Sequence, residues 1–573
     1  MGIPNLSRHL ASLSEPIVFG GGHDGSSVSS VRSVVIDGPS LVYHVHSILA
    51  SRRSSRLSQI DRQPSCNEVS VAVMNYLVLL KVLGVSVLKI YFDGALPLNK
   101  RETRLSRLEK SRKQLEMFCK ATSKESGLVS VDGGAVAIRP RDLFQGFESV
   151  GKRSKLPENA FMVSAVIEDL VSRWNSSEIK SNLLGNLANF YLDDTNHPWS
   201  DICEIVPGEA DIACAALAYQ EPGLAILTSD SDLLVYDFGS TSSVIFFNTI
   251  STENWYDNDP SQSTVKAMSV SPGSVSRRLG IPALSYFAYE LSLDPHAGFR
   301  ELIRRAKRGS EPSQPVPAAY IEFMRQYDFQ RFQNGALDPS LLRGIDVRLS
   351  ELLAQCFWAA EYLEETPRIY LPFLQEDHSR RCGWAEGSRI RRLAFSLLNF
   401  NTIGVEYTAI TECTRRGTRF CFDQVALYTH ETVDSETQRL VDIFNCVQAA
   451  NPLEHGSPIF WRIFAIAEMH LNATETLPSR LDKQVLANFL GVGKTNTNRS
   501  RSSSNSAVGW EEIHALAQMQ SVLYSLRMLS QIITTVPHSQ GLLGQLHGIL
   551  STLPPLHVLM RSYREVRDEF YYV

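Results

Sequence analysis

Over the first 300 residues, short β-branched runs alternate with longer stretches of helical periodicity. The strand-like runs are SVVID (33–37), SVLKIYFD (86–93), ICEIV (202–206), LAILT (224–228) and SVIFF (243–247), each short and bounded by polar or turn-forming residues. Helical patterns lie between them: 39–52 opens with Pro39, 67–84 ends at Gly84, and 157–174 opens with Pro157 and Glu158, all placements that helix termini favour. Continuous apolar strands separated by helices predict an α/β fold with a mostly parallel sheet covered on both faces. Beyond about residue 300 the pattern is mainly helical, in 296–307, in 340–363 and in the closing run from Trp510. One hairpin interrupts it near 405–427, turning at Arg415-Arg416-Gly417. The polar stretch KTNTNRSRSSSNSA (494–507) predicts a flexible loop. A chain of 573 residues exceeds the roughly 250–300 that one core supports. Two domains are therefore expected, 1–300 and a mainly α-helical 301–573.

Composition adds little at the scale of the whole chain. The net charge is −5, from 61 acids and 56 bases, so any contact with nucleic acid must come from a local patch. One such patch, KRETRLSRLEKSRK (100–113), holds seven bases and two acids. Within it Lys100, Arg104 and Arg107 share one face of a helix. It opens a basic interruption that runs to GKRSKLP near 156. The nine cysteines show neither Cys-x-x-Cys nor Cys/His spacing for zinc, in keeping with a reducing compartment. The most apolar run, VAVMNYLVLLKVLGV, contains Asn75 and Lys81 and falls short of the roughly 18 residues a membrane span needs. With no signal peptide in MGIPNLSRHL, the expectation is a nuclear or cytoplasmic protein.

The candidate chemistry lies where the strands end. Asp37 closes the first and Asp93 the second; Glu209 and Asp211 follow the third; Asp230 and Asp232 follow the fourth. Ligands of open parallel sheets gather beyond the carboxyl ends of the strands. Helix capping explains one Asp at a time. A doublet is harder to explain, because the second carboxylate adds repulsion unless a cation neutralises it. Oxygen donors without His or Cys favour Mg²⁺, or Mn²⁺ in its place. Six acids suit two such ions about 3.5–4 Å apart, as in phosphoryl transfer. Beside them the basic face reads as a phosphate grip, although alone it would read as a solvated surface. His44 and His46 point to different sides of their helix and are assigned to packing. Cys214, set among alanines, is assigned to the core.

MGIPNL at the start, VVIDGPSLVYH, YFDGALPLNK, VPGEADIACAALA and LTSDSDLLVY together resemble the flap endonuclease (XPG) nuclease superfamily. The resemblance is closest to its Asteroid branch, known in fungi as XPG-domain or Asteroid-domain proteins. It implies a PIN-like (SAM-fold) core over residues 1–300 and a Mg²⁺-dependent nuclease acting on structured DNA such as flaps or overhangs. It also implies a DNA-repair role in the nucleus, and a fungal source. It places Asp37, Asp93, Glu209, Asp211, Asp230, Asp232 and Asp294 on metal-binding carboxylates, Lys100 on a catalytic lysine and Arg107 on a scissile-phosphate arginine. Gly2 would pack near the site. Residues 100–156 take the place of the helical gateway and arch, with Arg101, Arg104, Lys110, Arg112 and Lys113 as further nucleic-acid contacts. DPHAGF (294–299) lacks the Gly-x-Gly turn of the family's duplex clamp, and REVRDEFYYV lacks the positions of a sliding-clamp peptide. The alternative is a catalytically silent scaffold of the same fold that binds nucleic acid or protein. A haloacid-dehalogenase-type phosphatase would need Asp-x-Asp at the first strand, where Gly38-Pro39 stands.

Overall fold

The computed structural model describes residues 3–20, 29–53, 57–95, 100–123, 128–129, 138–145, 156–190, 195–310, 315–328, 342–343, 345–357, 366–400, 407–451, 454–491, 508–536 and 541–572. The chain begins with α1 (Leu6–Leu10), β1 (Glu15–Phe19) and β2 (Ser29–Val31). The α/β repeat follows: β3 (Ser33–Asp37), α2 (Gly38–Arg52), α3 (Cys66–Val82), β4 (Ser86–Asp93), α4 (Arg101–Thr122), α5 (Met162–Ser172), α6 (Ser176–Ser181), β5 (Cys203–Val206), α7 (Ala210–Gln220), β6 (Ala225–Thr228) and β7 (Ser243–Phe246). After β8 (Ser251–Asn254) and β9 (Thr264–Val270) come α8 (Pro272–Leu279), α9 (Leu284–Leu293), α10 (Phe299–Gly309) and α11 (Ala318–Met324).

The sheet runs β2-β1-β9-β7-β6-β3-β4-β5, with β8 paired to β9. Strands β3 to β7 are mutually parallel, and β9 joins β7 antiparallel. The parallel layer agrees with the sequence pattern, whose five runs coincide with β3–β7 to within a residue. Side chains alternate between its faces with period two. Val34, Ile36, Ile90, Phe92, Leu227 and Ile245 enter one core, whereas Val35, Ile226, Val244 and Phe246 enter the other. Helices α2, α3 and α5 cover the first face; α1, α7, α9 and α10 cover the second.

The second half packs on the first face. Its elements near the site are α12 (Val347–Phe357) and β10 (Arg368–Tyr370), the latter in a small sheet with β11 (Ala409–Arg416) and β12 (Arg419–Ala426); β11 and β12 form the expected hairpin. Behind it lies the long helix α13 (Trp510–Thr535). One continuous core joins Leu77, Phe161 and Trp174 to Trp384, Trp461 and Tyr524. Buried polar links reinforce it, among them His557 Nδ1 to Asp169 Oδ1 at 2.7 Å and Arg527 to Glu168 at 2.6 Å. The 494–507 loop lies outside the described residues.

Candidate active site

The order of the parallel strands reverses between β3 and β6, the place where crevices open at the carboxyl edge of such sheets. Asp37, last in β3, is the N-cap of α2. It accepts from Ser40 N at 3.4 Å, from the Ser40 hydroxyl and from Thr228 Oγ1 at 2.7 Å. Gly38 has no room for a side chain, since a Cβ would sit 2.6 Å from the Phe92 ring. Asp93, last in β4, caps a different helix by accepting from Ala210 N at 2.8 Å at the start of α7. Glu209, the N-cap residue of α7, makes no capping bond and instead meets Lys100 Nζ at 3.2 Å. Asp230 accepts from Asp232 N at 3.0 Å, and Asp232 from Ile3 N at 2.7 Å. Capping thus accounts for Asp37, Asp93 and Asp230 but not for Glu209 or Asp211. Even the capping carboxylates keep lone pairs free, since each offers about four acceptor sites.

These side chains converge. A cleft of ≈ 760 Å³ is lined by Asp37, Asp93, Glu209, Asp211 and Asp230 together with Arg104 and Arg107. An adjoining cavity of ≈ 240 Å³ shares most of that wall and adds Asp232, Lys100, Tyr236 and Tyr327. All six strand-end acids therefore face the Lys100–Arg107 side of α4. Burial pushes the Asp93 carboxyl up to about 6 against the opposing Ala210 hydrogen bond. Burial also raises Asp37. Asp211 lies well above its ordinary value through burial and then the charges of Asp37, Asp230, Asp93 and Glu209. Glu209 is raised by burial despite Lys100, and Asp232 by burial and then Asp230. Fully ionised, the cluster needs positive charge beyond these cations.

The donor set, all carboxylate oxygen, fits a hard divalent cation. Among the described residues no three Asp, Glu, His or Cys side chains converge closely enough to hold one ion as they stand. The carboxylate of Asp37 is engaged with Ser40 and Thr228, and that of Glu209 with Lys100. Holding an ion requires these groups to turn from their present partners.

The remaining expected residues are placed elsewhere. Asp294 follows α9 and faces Arg305 at 3.3 Å, outside both cavities. Arg112 is buried in contact with Glu109 and Glu116, both at 2.7 Å. Lys110 and Lys113 are exposed, and Lys113 lies 3.5 Å from Glu109. Arg101 lies toward Tyr370 and Cys413 rather than among the acids. Arg104 lines the cleft but pairs with Glu351. Gly2 lies outside the described residues. His44 and His46 are buried in α2, His44 stacked on Phe247 at 4.9 Å. Unforeseen from the sequence are Thr228, Tyr327 and the roof that Arg348, Glu351, Tyr370 and Phe373 lay over the cleft from the second half.

Residues 158–427 match a family model described as XPG domain containing, and no curated protein matches the chain. The match supports an XPG-like domain of the nuclease superfamily over that span. The matched span contains Glu209, Asp211, Asp230 and Asp232 and also the roof residues 348–373. Among the described residues no helix is long and apolar enough to cross a membrane.

Proposed function

We propose that the protein is a metal-dependent nuclease that hydrolyses phosphodiester bonds in structured DNA, such as flaps or overhangs, in the nucleus. The observation that carries this reading is the convergence of carboxylates from four strand ends on one cleft, opposite Lys100 and Arg107. Asp93, Asp211, Asp230 and Asp232, with Asp37 and Glu209 once they turn from their present partners, would hold Mg²⁺ or Mn²⁺. Two such ions, when bound, supply a nucleophile at neutral pH and stabilise the attacking and leaving oxygens. The chain's own groups do the rest. Arg107 reaches both cavities and offers a planar fork to a phosphate. Lys100, now on Glu209, can share that phosphate as a point charge. The roof residues wall one side of the cleft, and a phosphate held against that wall would meet fewer waters, which would strengthen its charge interactions.

The test is cleavage of labelled flap, bubble, overhang and single-stranded DNA with Mg²⁺, wild type beside Asp230→Asn. Cleavage by the wild type that the variant lacks supports the nuclease. A second reading, the catalytically silent scaffold, draws on Asp37 and Glu209 being engaged with protein partners. A folded protein that binds these DNAs, cuts none with Mg²⁺ or Mn²⁺, and binds equally well as Asp230→Asn would favour it.

A further inference from the structure

The helix that presents Lys100 and Arg107 is held in part by the second half of the chain. Arg104 forms an ion pair with Glu351 of α12, and its guanidinium lies 5.2 Å from the centre of the Tyr370 ring, at the end of β10. Further along α4, Cys119 Sγ donates to Glu376 O at 3.2 Å, and Trp510 Nε1 donates to Thr122 Oγ1 at 3.1 Å. Just past the helix, Leu128 N donates to Val508 O at 2.9 Å. Helix α12 is itself anchored three residues before Glu351. Arg348 donates to Ala160 O at 2.6 Å, to Ser164 Oγ at 3.3 Å and to Tyr524 Oη at 2.7 Å. An unbroken set of contacts therefore runs from α5 and α13 through Arg348 and Glu351 to Arg104.

From this we infer that Glu351 is a positioning residue for the site. It fixes Arg104, and through one rigid helical turn it sets Arg107 and Lys100 against the carboxylates. The inference rests on the nuclease reading for its consequence in catalysis, though not for its geometry. Arg104 also lines both cavities, but it is half-buried, its charge is met by Glu351, and an aromatic ring lies against it, which leaves it less free to grip substrate. Arg107, one turn on, lines the same two cavities but is exposed. One basic run thus divides into an anchor and a working cation. Small displacements at a reacting centre are costly, so loss of the anchor acts on turnover.

The experiment compares full-length Glu351→Ala, Glu351→Gln and the charge-swapped pair Arg104→Glu/Glu351→Arg with wild type, on the same labelled DNAs. Each variant is also subjected to limited trypsin digestion, with mass spectrometry of cuts after Lys100, Arg101 and Arg107. Removing one member of a buried pair can destabilise the fold, so the glutamine variant, which keeps an acceptor for Arg104, and the swap supply the decisive comparisons. Glu351→Ala is expected to lose on the order of 10²-fold in kcat with KM within roughly threefold, the pattern of a misplaced catalytic group. Its α4 should be nicked faster, the glutamine variant should stay near wild type, and the swap should recover most of the rate. Asp201→Asn, which breaks the exposed Arg343–Asp201 pair, serves as the neutral control. A rise in KM at unchanged kcat would make Arg104 a substrate contact and overturn the inference. So would a swap no better than the alanine variant, or unchanged digestion of α4. If the wild type cuts no DNA, the nuclease reading fails and the digestion pattern alone decides the placement of α4.

Discussion

Asp211 shows most clearly what the cluster is built for. It accepts no hydrogen bond from any described residue and caps nothing, and burial, then the charges of four other carboxylates, push its proton affinity well above the ordinary value. A side chain held in its less favoured charge state lowers the stability of the folded, metal-free protein. Asp211→Asn is therefore expected to stabilise that protein, by on the order of 1 kcal/mol, while removing Mg²⁺-dependent cleavage. Thermal melting in EDTA and a cleavage assay read the two effects separately. Asp294→Asn makes the contrast. Its carboxylate is partly exposed, faces Arg305 and lies outside both cavities, so cleavage should remain within about twofold, and the exposed pair should contribute less than about 1 kcal/mol. Asp211→Asn that neither stabilises nor inactivates would remove the case for a strained metal cluster.

At the scale of elements, the close approach of β4 to β5 sets the distance between Asp93 and the Glu209–Asp211 doublet. Gly94 N donates to Gly208 O at 2.9 Å, and a Cβ on Gly94 would lie 2.1 Å from Val206 O. Gly94→Ala must spread the strand ends, with an expected cost of about 1–3 kcal/mol and a fall in kcat larger than the fall in stability explains. Gly456→Ala, where a Cβ would meet nothing within 4 Å, should change neither. Melting curves and kcat for the two variants check this. The same elements show why part of the site can be read from sequence. Strands β3 to β7 are apolar on both faces, so each appears as a short unbroken run, and the acids stand out because they terminate those runs. Strand β1 contains Pro16 and β9 alternates buried with half-buried positions in antiparallel pairing; neither gives a continuous apolar run, so the sequence pattern predicts neither. Helix α5 begins at Met162 rather than at Pro157, and residues 157–160 line the cleft instead. The roof left no local trace, because Arg104 and Glu351 stand 247 positions apart and meet only through tertiary packing.

Across the whole molecule two sets of buried titrating groups oppose each other, and their balance distinguishes a metal site from a scaffold. His44, His46, His378 and His514 are each lowered by burial from 6.5 to about 4. The unfolded chain binds these protons first, so this contribution is complete above about pH 6.5 and is lost as pH falls toward 4. Asp93 works the other way. Its folded value of about 6 stands above 3.8, so the folded state keeps a proton that the unfolded chain has released. Its contribution is full below about pH 3.8 and is lost as pH rises through 6; Asp37, Asp211, Glu209 and Asp232, all raised, act in the same direction. At pH 7.5 the histidines are neutral in both states, while Asp93 is ionised and the cluster carries more repulsion than at pH 5. At pH 5 protons already relieve Asp93. A divalent cation competes with those protons, so Mg²⁺ at 100 times its Kd is expected to stabilise the protein at pH 7.5 by about 2.7 kcal/mol and far less at pH 5. Asp230→Asn should reduce the pH 7.5 shift, and thermal melting with and without Mg²⁺ measures all of these. Shifts that are equal at the two pH values, or absent at both, would mean that the carboxylates hold no cation, and the retained acids would then be relics within a binding scaffold.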